Sequence, residues 1–157
     1  MTPLSELYQQ VILDHNSHPQ NFHKLENADG SAEGYNPLCG DEIHIYLKME
    51  GEKIQDIGFL GSGCAISKAS TSIMTASIKG KTKAEAKVIF QKFIKMITSP
   101  LEDSSPDPDL GKLSVFKGVR EFPTRIKCAS LAWHTLQAAL ENKNKTVTTE
   151  EESDPHG

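Results

Sequence analysis

Ile43-His44-Ile45-Tyr46-Leu47-Lys48-Met49-Glu50-Gly51-Glu52-Lys53-Ile54-Gln55-Asp56-Ile57-Gly58-Phe59-Leu60 is the stretch from which the fold is read. Ile43, Ile45 and Leu47 alternate with His44, Tyr46 and Lys48, the period of a strand with one face buried and the other wet. Glu50-Gly51-Glu52 supplies turn chemistry. Lys53 to Leu60, carrying Ile54, Ile57 and Phe59, then reads as the returning strand of a hairpin. Cys39 and Asp41 precede the first strand and Cys64 follows the second, so an antiparallel hairpin brings all three to one end.

Helical patterns surround the hairpin. Thr2-Pro3 reads as a cap followed by proline at the first helical position. Leu4, Leu7, Tyr8, Val11 and Ile12 repeat behind it, and the helix ends before His18-Pro19. Residues 20–38 are polar and glycine-bearing, which predicts a loop with one short strand around Ala32 to Tyr35. Ala65 to Ile78 predicts a tightly packed helix of small residues, closed by Lys79-Gly80. Thr82-Lys83-Ala84-Glu85 is a capping box before a helix with Ala86, Val88, Ile89, Phe93, Ile94 and Ile97 inward. Ser99 to Gly118 holds Pro100, Pro106 and Pro108 and reads as an extended or loosely helical excursion anchored by Leu113 and Phe116. Thr124 to Glu141 predicts a last helix with Ile126, Ala129, Ala132, Trp133, Leu136, Ala139 and Leu140 inward. Residues 142–157 carry Lys, Asn, Thr and a Glu run and predict a disordered acidic tail, leaving 1–141 as a single domain.

Composition narrows the function. The chain has 157 residues, enough for one hydrophobic core. Its mean hydropathy is −0.42, and no apolar run approaches the roughly 20 residues that cross a bilayer. The start, Met1-Thr2-Pro3-Leu4-Ser5-Glu6, lacks the basic and apolar regions of a signal peptide, so the expected address is the cytoplasm. A net charge of −4 with interspersed cations offers no basic face for nucleic acid. Three cysteines is an odd number, which points away from a disulfide framework and toward metal or redox chemistry in a reducing compartment.

The cysteines lie in Pro37-Leu38-Cys39-Gly40-Asp41, in Gly61-Ser62-Gly63-Cys64-Ala65 and in Lys127-Cys128-Ala129-Ser130. Three thiolates and the Asp41 carboxylate make the four ligands of a tetrahedral zinc site, and Gly40 lets Cys39 and Asp41 reach one ion. Such a site carries about two net negative charges, which Arg125 and Lys127 near Cys128 could offset, a solvated helix start being the equal alternative for that pair. As the hardest donor of the set, Asp41 is a candidate for exchange or for an outer role. Other candidates carry less. Gly80-Lys81-Thr82 ends like a phosphate-binding loop, but Thr75 stands where that motif needs its first glycine. His15, His18 and His23 cluster near the first helix end and read as surface histidines with capping or no duties rather than as ligands, and His134, within the last helix, reads as a packing or hydrogen-bonding residue. Ser67, Ser70, Thr71 and Ser72 have no partnering base that the sequence identifies.

Tyr35-Asn36-Pro37-Leu38-Cys39-Gly40-Asp41, Gly61-Ser62-Gly63-Cys64-Ala65-Ile66-Ser67 and Arg125-Ile126-Lys127-Cys128-Ala129-Ser130-Leu131-Ala132-Trp133 resemble the motifs of the IscU/NifU amino-terminal family, and within it the zinc-containing, SufU-like branch. The resemblance runs from the first helix through the last and leaves only the tail uncovered. It implies an α+β fold, a small antiparallel sheet packed on one side by helices, with the metal site at an exposed edge. It implies that Cys39, Asp41, Cys64 and Cys128 hold one Zn2+. It also implies a partner cysteine desulfurase, a pyridoxal-phosphate enzyme whose histidine would replace Cys39 on the zinc and free that thiolate to accept persulfide sulfur. Cys39 is then the catalytic residue of a sulfurtransferase that serves iron-sulfur cluster assembly. The alternative is a scaffold on which a [2Fe-2S] cluster is built, and a third reading is a purely structural zinc module. Three departures favour zinc: Lys127 stands where cluster scaffolds of the family carry a histidine ligand, Glu121-Phe122-Pro123-Thr124 replaces their proline-rich docking loop, and Pro100 to Gly118 is a SufU-like insertion.

Overall fold

The computed structural model describes residues 3–100, 110–141 and 146–148, with side chains from residue 9 onward in the first helix and none in the last strand. Helix α1 spans Pro3–Ser17, starting at the proline and ending before His18-Pro19 as the sequence predicts. Strands β1 (Gly30–Asn36), β2 (Asp41–Glu50) and β3 (Lys53–Ser62) follow, then α2 (Ala65–Ile78) and α3 (Lys83–Ile97). A 3-10 helix over Gly111–Glu121 leads into α4 (Pro123–Leu140), and Thr146–Thr148 forms β4. The sheet order is β3-β2-β1-β4, antiparallel except where β4 runs parallel to β1.

Ile43, Ile45, Leu47, Ile57 and Phe59 turn inward, while Glu33, Glu42 and His44 face outward. Ile54 and Ile57 are three apart yet both fully buried, because the register shifts at Lys48/Met49: Lys48 opposes Asp56 and Met49 opposes Ile54. That bulge leaves Gln55 as the extra residue and restores the inward face beyond it. On the outer face Tyr46 is nonetheless buried, the His44 ring stacking on it at 4.3 Å.

Helix α4 packs on β1 and β2, α2 packs against α1 and α4, and the 3-10 helix bridges α3 and α4. Their apolar side chains make one cluster from Ile12 to Ala139, with Trp133 stacked on Phe93 at 5.0 Å near its centre. This is the α+β layout expected, with the sheet covered on one side. Leu113 and Phe116 are fully buried, as anchors should be. The expected capping box of α3 is present, Thr82 and Glu85 exchanging backbone bonds.

Three expectations need correction. The strand around Ala32 to Tyr35 runs the full length of Gly30–Asn36 because β2 offers it a complete ladder. Val88 is 47% exposed, lying off the stripe of Ala86, Ile89, Phe93 and Ile97 that a 3.6-residue period defines. The disorder expected for 142–157 does not hold at Thr146–Thr148, which pair with Glu33–Tyr35 and cover the open edge of β1. The rest of that stretch, like Pro106 and Pro108, lies outside the described residues. No helix among the described residues is long and apolar enough to cross a membrane.

Candidate metal centre

The hairpin, a helix start and a second helix deliver the predicted residues to one place. Cys39 sits in the turn between β1 and β2, where its backbone N–H donates to the Asn36 carbonyl at 3.2 Å. Gly40 beside it has φ +70°, the left-handed geometry that glycine adopts without strain. Asp41 opens β2 directly across the ladder from Asn36 and is 1% exposed. Cys64 follows β3 and caps α2, its sulfur accepting the Ser67 N–H at 3.4 Å. Cys128 lies in the second turn of α4 and is fully buried, whereas Cys39 is partly exposed.

Among the described residues, one donor atom each from Cys39, Asp41 and Cys128 lie within 4.8 Å of one another. The Cys128 thiol reaches Cys39 Sγ at 3.3 Å. Cys64 stands at the rim of this group, with Sγ 3.8 Å from Asp41 Oδ2 and its backbone N–H donating to Asp41 Oδ1 at 2.8 Å. That approach needs Gly63, whose φ is +137° and where a side chain would run into Asp41.

Electrostatics divides the thiols. Cys64 is pulled down to about 7, first by the hydrogen bond it shares with Cys128 and then by the backbone N–H groups at the start of α2, against burial and the nearby Asp41. The same shared bond pushes Cys128 up, burial and Cys39 adding to it. Of the two, Cys64 gives up its proton first and becomes the thiolate the helix start favours.

Arg125 is exposed at the start of α4, and Lys127 is half-buried next to Cys128. Arg125 borders a groove of about 450 Å³ formed with Ile12, Leu13, Ala65, Ile66 and Phe122. Leu13, Leu38 and Phe122 are exposed apolar side chains around the centre, at 62%, 56% and 54%. His15 bonds Ser72, His23 approaches the Lys24 carbonyl and His134 packs edge-on against Phe90. Sequence reasoning missed Asn36, fully buried, whose Nδ2 donates to Asp41 Oδ2 at 3.1 Å and to Cys128 Sγ at 3.4 Å. An asparagine before a proline reads as turn chemistry, so only the tertiary contacts reveal it.

The donor set suits a thiophilic dication. Two sulfurs and one carboxylate lie together, with Cys64 Sγ 3.8 Å from that carboxylate at the rim; these are donors of the kind zinc takes, and N–H groups on the carboxylate supply the outer bonds that such ligands carry. The residues present therefore fit the ion that the family resemblance implies.

Fold and site together define a class of small α+β proteins that gather cysteines from a hairpin end and two helix starts around one carboxylate. Residues 7–129 match the family model of the NifU-like N-terminal domain, and the chain belongs to that family. It is 42% identical over 137 residues to the zinc-dependent sulfurtransferase SufU of Bacillus subtilis, covering 87% of this chain and 91% of that protein. It is 37% identical over 140 residues to the iron-sulfur cluster assembly scaffold protein IscU of Streptococcus pyogenes, covering 89% and 86%. A crystal structure from Fervidobacterium islandicum, provisionally described as an iron-sulfur cluster assembly scaffold protein for the SUF system, superposes with a TM-score of 0.78 at 39% identity, covering 86% of this chain and 97% of that one.

Proposed function

We propose that this protein is a zinc-dependent sulfurtransferase of the cytoplasm that accepts persulfide sulfur from a cysteine desulfurase and passes it to the iron-sulfur assembly machinery. Residues 1–141 form its working domain. The reading is carried by one observation: Cys39 is the partly exposed member of a buried thiol and carboxylate cluster and sits in a glycine-bearing turn. Bound zinc at Cys39, Asp41, Cys64 and Cys128 would keep the thiols deprotonated at neutral pH.

The chain's own residues do the rest. Buried Asp41 and Cys128 are tied to strand and helix, so movement falls to Cys39. Its thiolate attacks the outer sulfur of the donor persulfide. One S–S bond forms at Cys39 as the donor's S–S bond breaks, and the donor leaves as a thiolate with no third party oxidised or reduced. Leu13, Leu38, Phe122 and the groove beside Arg125 offer the apolar surface a docking donor would cover.

The test is alanine release by a cysteine desulfurase supplied with cysteine and the zinc-loaded protein. Stimulation by the wild type is expected, with Cys39→Ala returning the rate to that of the desulfurase alone. The second reading, a [2Fe-2S] scaffold, is favoured by the IscU relative. It gains if the folded, zinc-loaded wild type gives no stimulation and anaerobic reconstitution yields a cluster.

A further inference from the structure

Asn36 ends β1, three residues before Cys39, and is wholly removed from solvent. Its backbone carbonyl accepts the Cys39 N–H, and its side chain reaches Asp41 and Cys128. One residue thus touches three of the four candidate ligands, each in a different way. The orientation of its carboxamide is dictated by chemistry: a flipped amide would set its oxygen against the Asp41 carboxylate oxygen, where only a donor is tolerated.

The geometry points to Asn36 as the positioning residue of the metal centre, donating one N–H to Asp41 and the other to Cys128 so that these two stay fixed, while its backbone carbonyl takes the Cys39 N–H. With Cys64 N–H on Oδ1 and Asn36 on Oδ2, both oxygens of Asp41 are oriented from outside the cluster. The bond to Cys128 draws electron density from that sulfur and offsets negative charge that burial would otherwise make costly. Both of these side-chain bonds fall on the ligands that stay in place, while Cys39 is the ligand that moves. The inference rests on the zinc reading above.

The experiment compares wild type, Asn36→Ala and Asn36→Asp by three measurements: thermal melting of the metal-free chain, Zn2+ affinity by competition with a chromophoric chelator, and the absorption spectrum of the Co2+ form. Metal-free melting is expected to change little. Zinc affinity is expected to fall by about 10- to 100-fold in Asn36→Ala, the usual cost of losing an outer-shell partner, and further in Asn36→Asp. The thiolate-to-cobalt charge-transfer band should move to lower energy once the N–H to Cys128 is gone. Asn36→Asp is nearly isosteric, so a residue that merely fills space would rank the variants the other way, with Ala the worse. That ranking, or wild-type affinity in Asn36→Ala, overturns the assignment. So does loss of the metal-free fold in both variants, which would make the residue a folding element. A wild type that binds neither Zn2+ nor Co2+ sinks the function reading and this one together, whereas a wild type that binds alongside unchanged variants sinks only the role of Asn36.

Discussion

Gly63 shows how one missing side chain lets a site form. Its φ of +137° and its approach to Asp41 are both closed to any other residue without strain. Backbone strain of this kind costs about 1–3 kcal/mol. Gly63→Ala is therefore expected to lose about 1–3 kcal/mol in urea unfolding and to weaken Zn2+ binding, because Asp41 must move. Unchanged unfolding and unchanged binding would show that the close approach has no energetic weight. The cysteines of this site and Gly40 were legible in the sequence because their chemistry is local. Asn36 was not, since its partners lie 5 and 92 positions away.

At the scale of elements, α1 and α2 are joined by polar as well as apolar contacts. Ser72 Oγ accepts the Gln20 N–H at 2.7 Å, which leaves its hydrogen for His15 Nδ1 at 2.7 Å. His15 is pushed below its usual range, first by burial and then by Lys112, with Asp14 opposing. A histidine whose folded pKa lies below the unfolded value binds fewer protons when native. Its contribution is then fully present above the unfolded value of about 6.5 and is lost as pH falls from there toward the folded value. Stability measured by urea unfolding should decline between pH 7 and 5, and His15→Gln should flatten that part of the slope; equal slopes in both proteins would refute it. The sequence marked α1 by its apolar repeat and read His15 as a surface residue, yet it continues the stripe one turn beyond Ile12 and is buried. Helix α4 was underread for another reason. With the sheet on one side and α2 and the 3-10 helix on the other, it buries Ser130, Leu131, Thr135 and Ala138 besides the expected face, so no single stripe describes it.

Across the whole molecule, the centre is the point where the β1–β2 turn, the start of α2 and the start of α4 meet. An ion held there stabilises the native state by mass action, about 4 kcal/mol when free zinc exceeds its Kd roughly 1,000-fold. Chelation should lower the melting temperature and raise amide hydrogen exchange at residues 36–41, 63–67 and 124–128, while the core strands near Ile45 and Phe59 keep their protection. Uniform deprotection would mean that the centre and the core unfold as one unit. What the sequence by itself determined was everything set by local chemistry and short periods: the hairpin, the helix starts with their proline and capping box, and the identity of the candidate donors. Tertiary structure alone decided the rest. Strand β1 exists because β2 pairs with it, and β4 because β1 left an edge open. The bulge opposite Met49 keeps Ile54 and Ile57 on one face. Asn36, Gly63 and the rim position of Cys64 acquire their meaning from neighbours far along the chain, and contacts at long separation leave no periodicity for a single sequence to reveal.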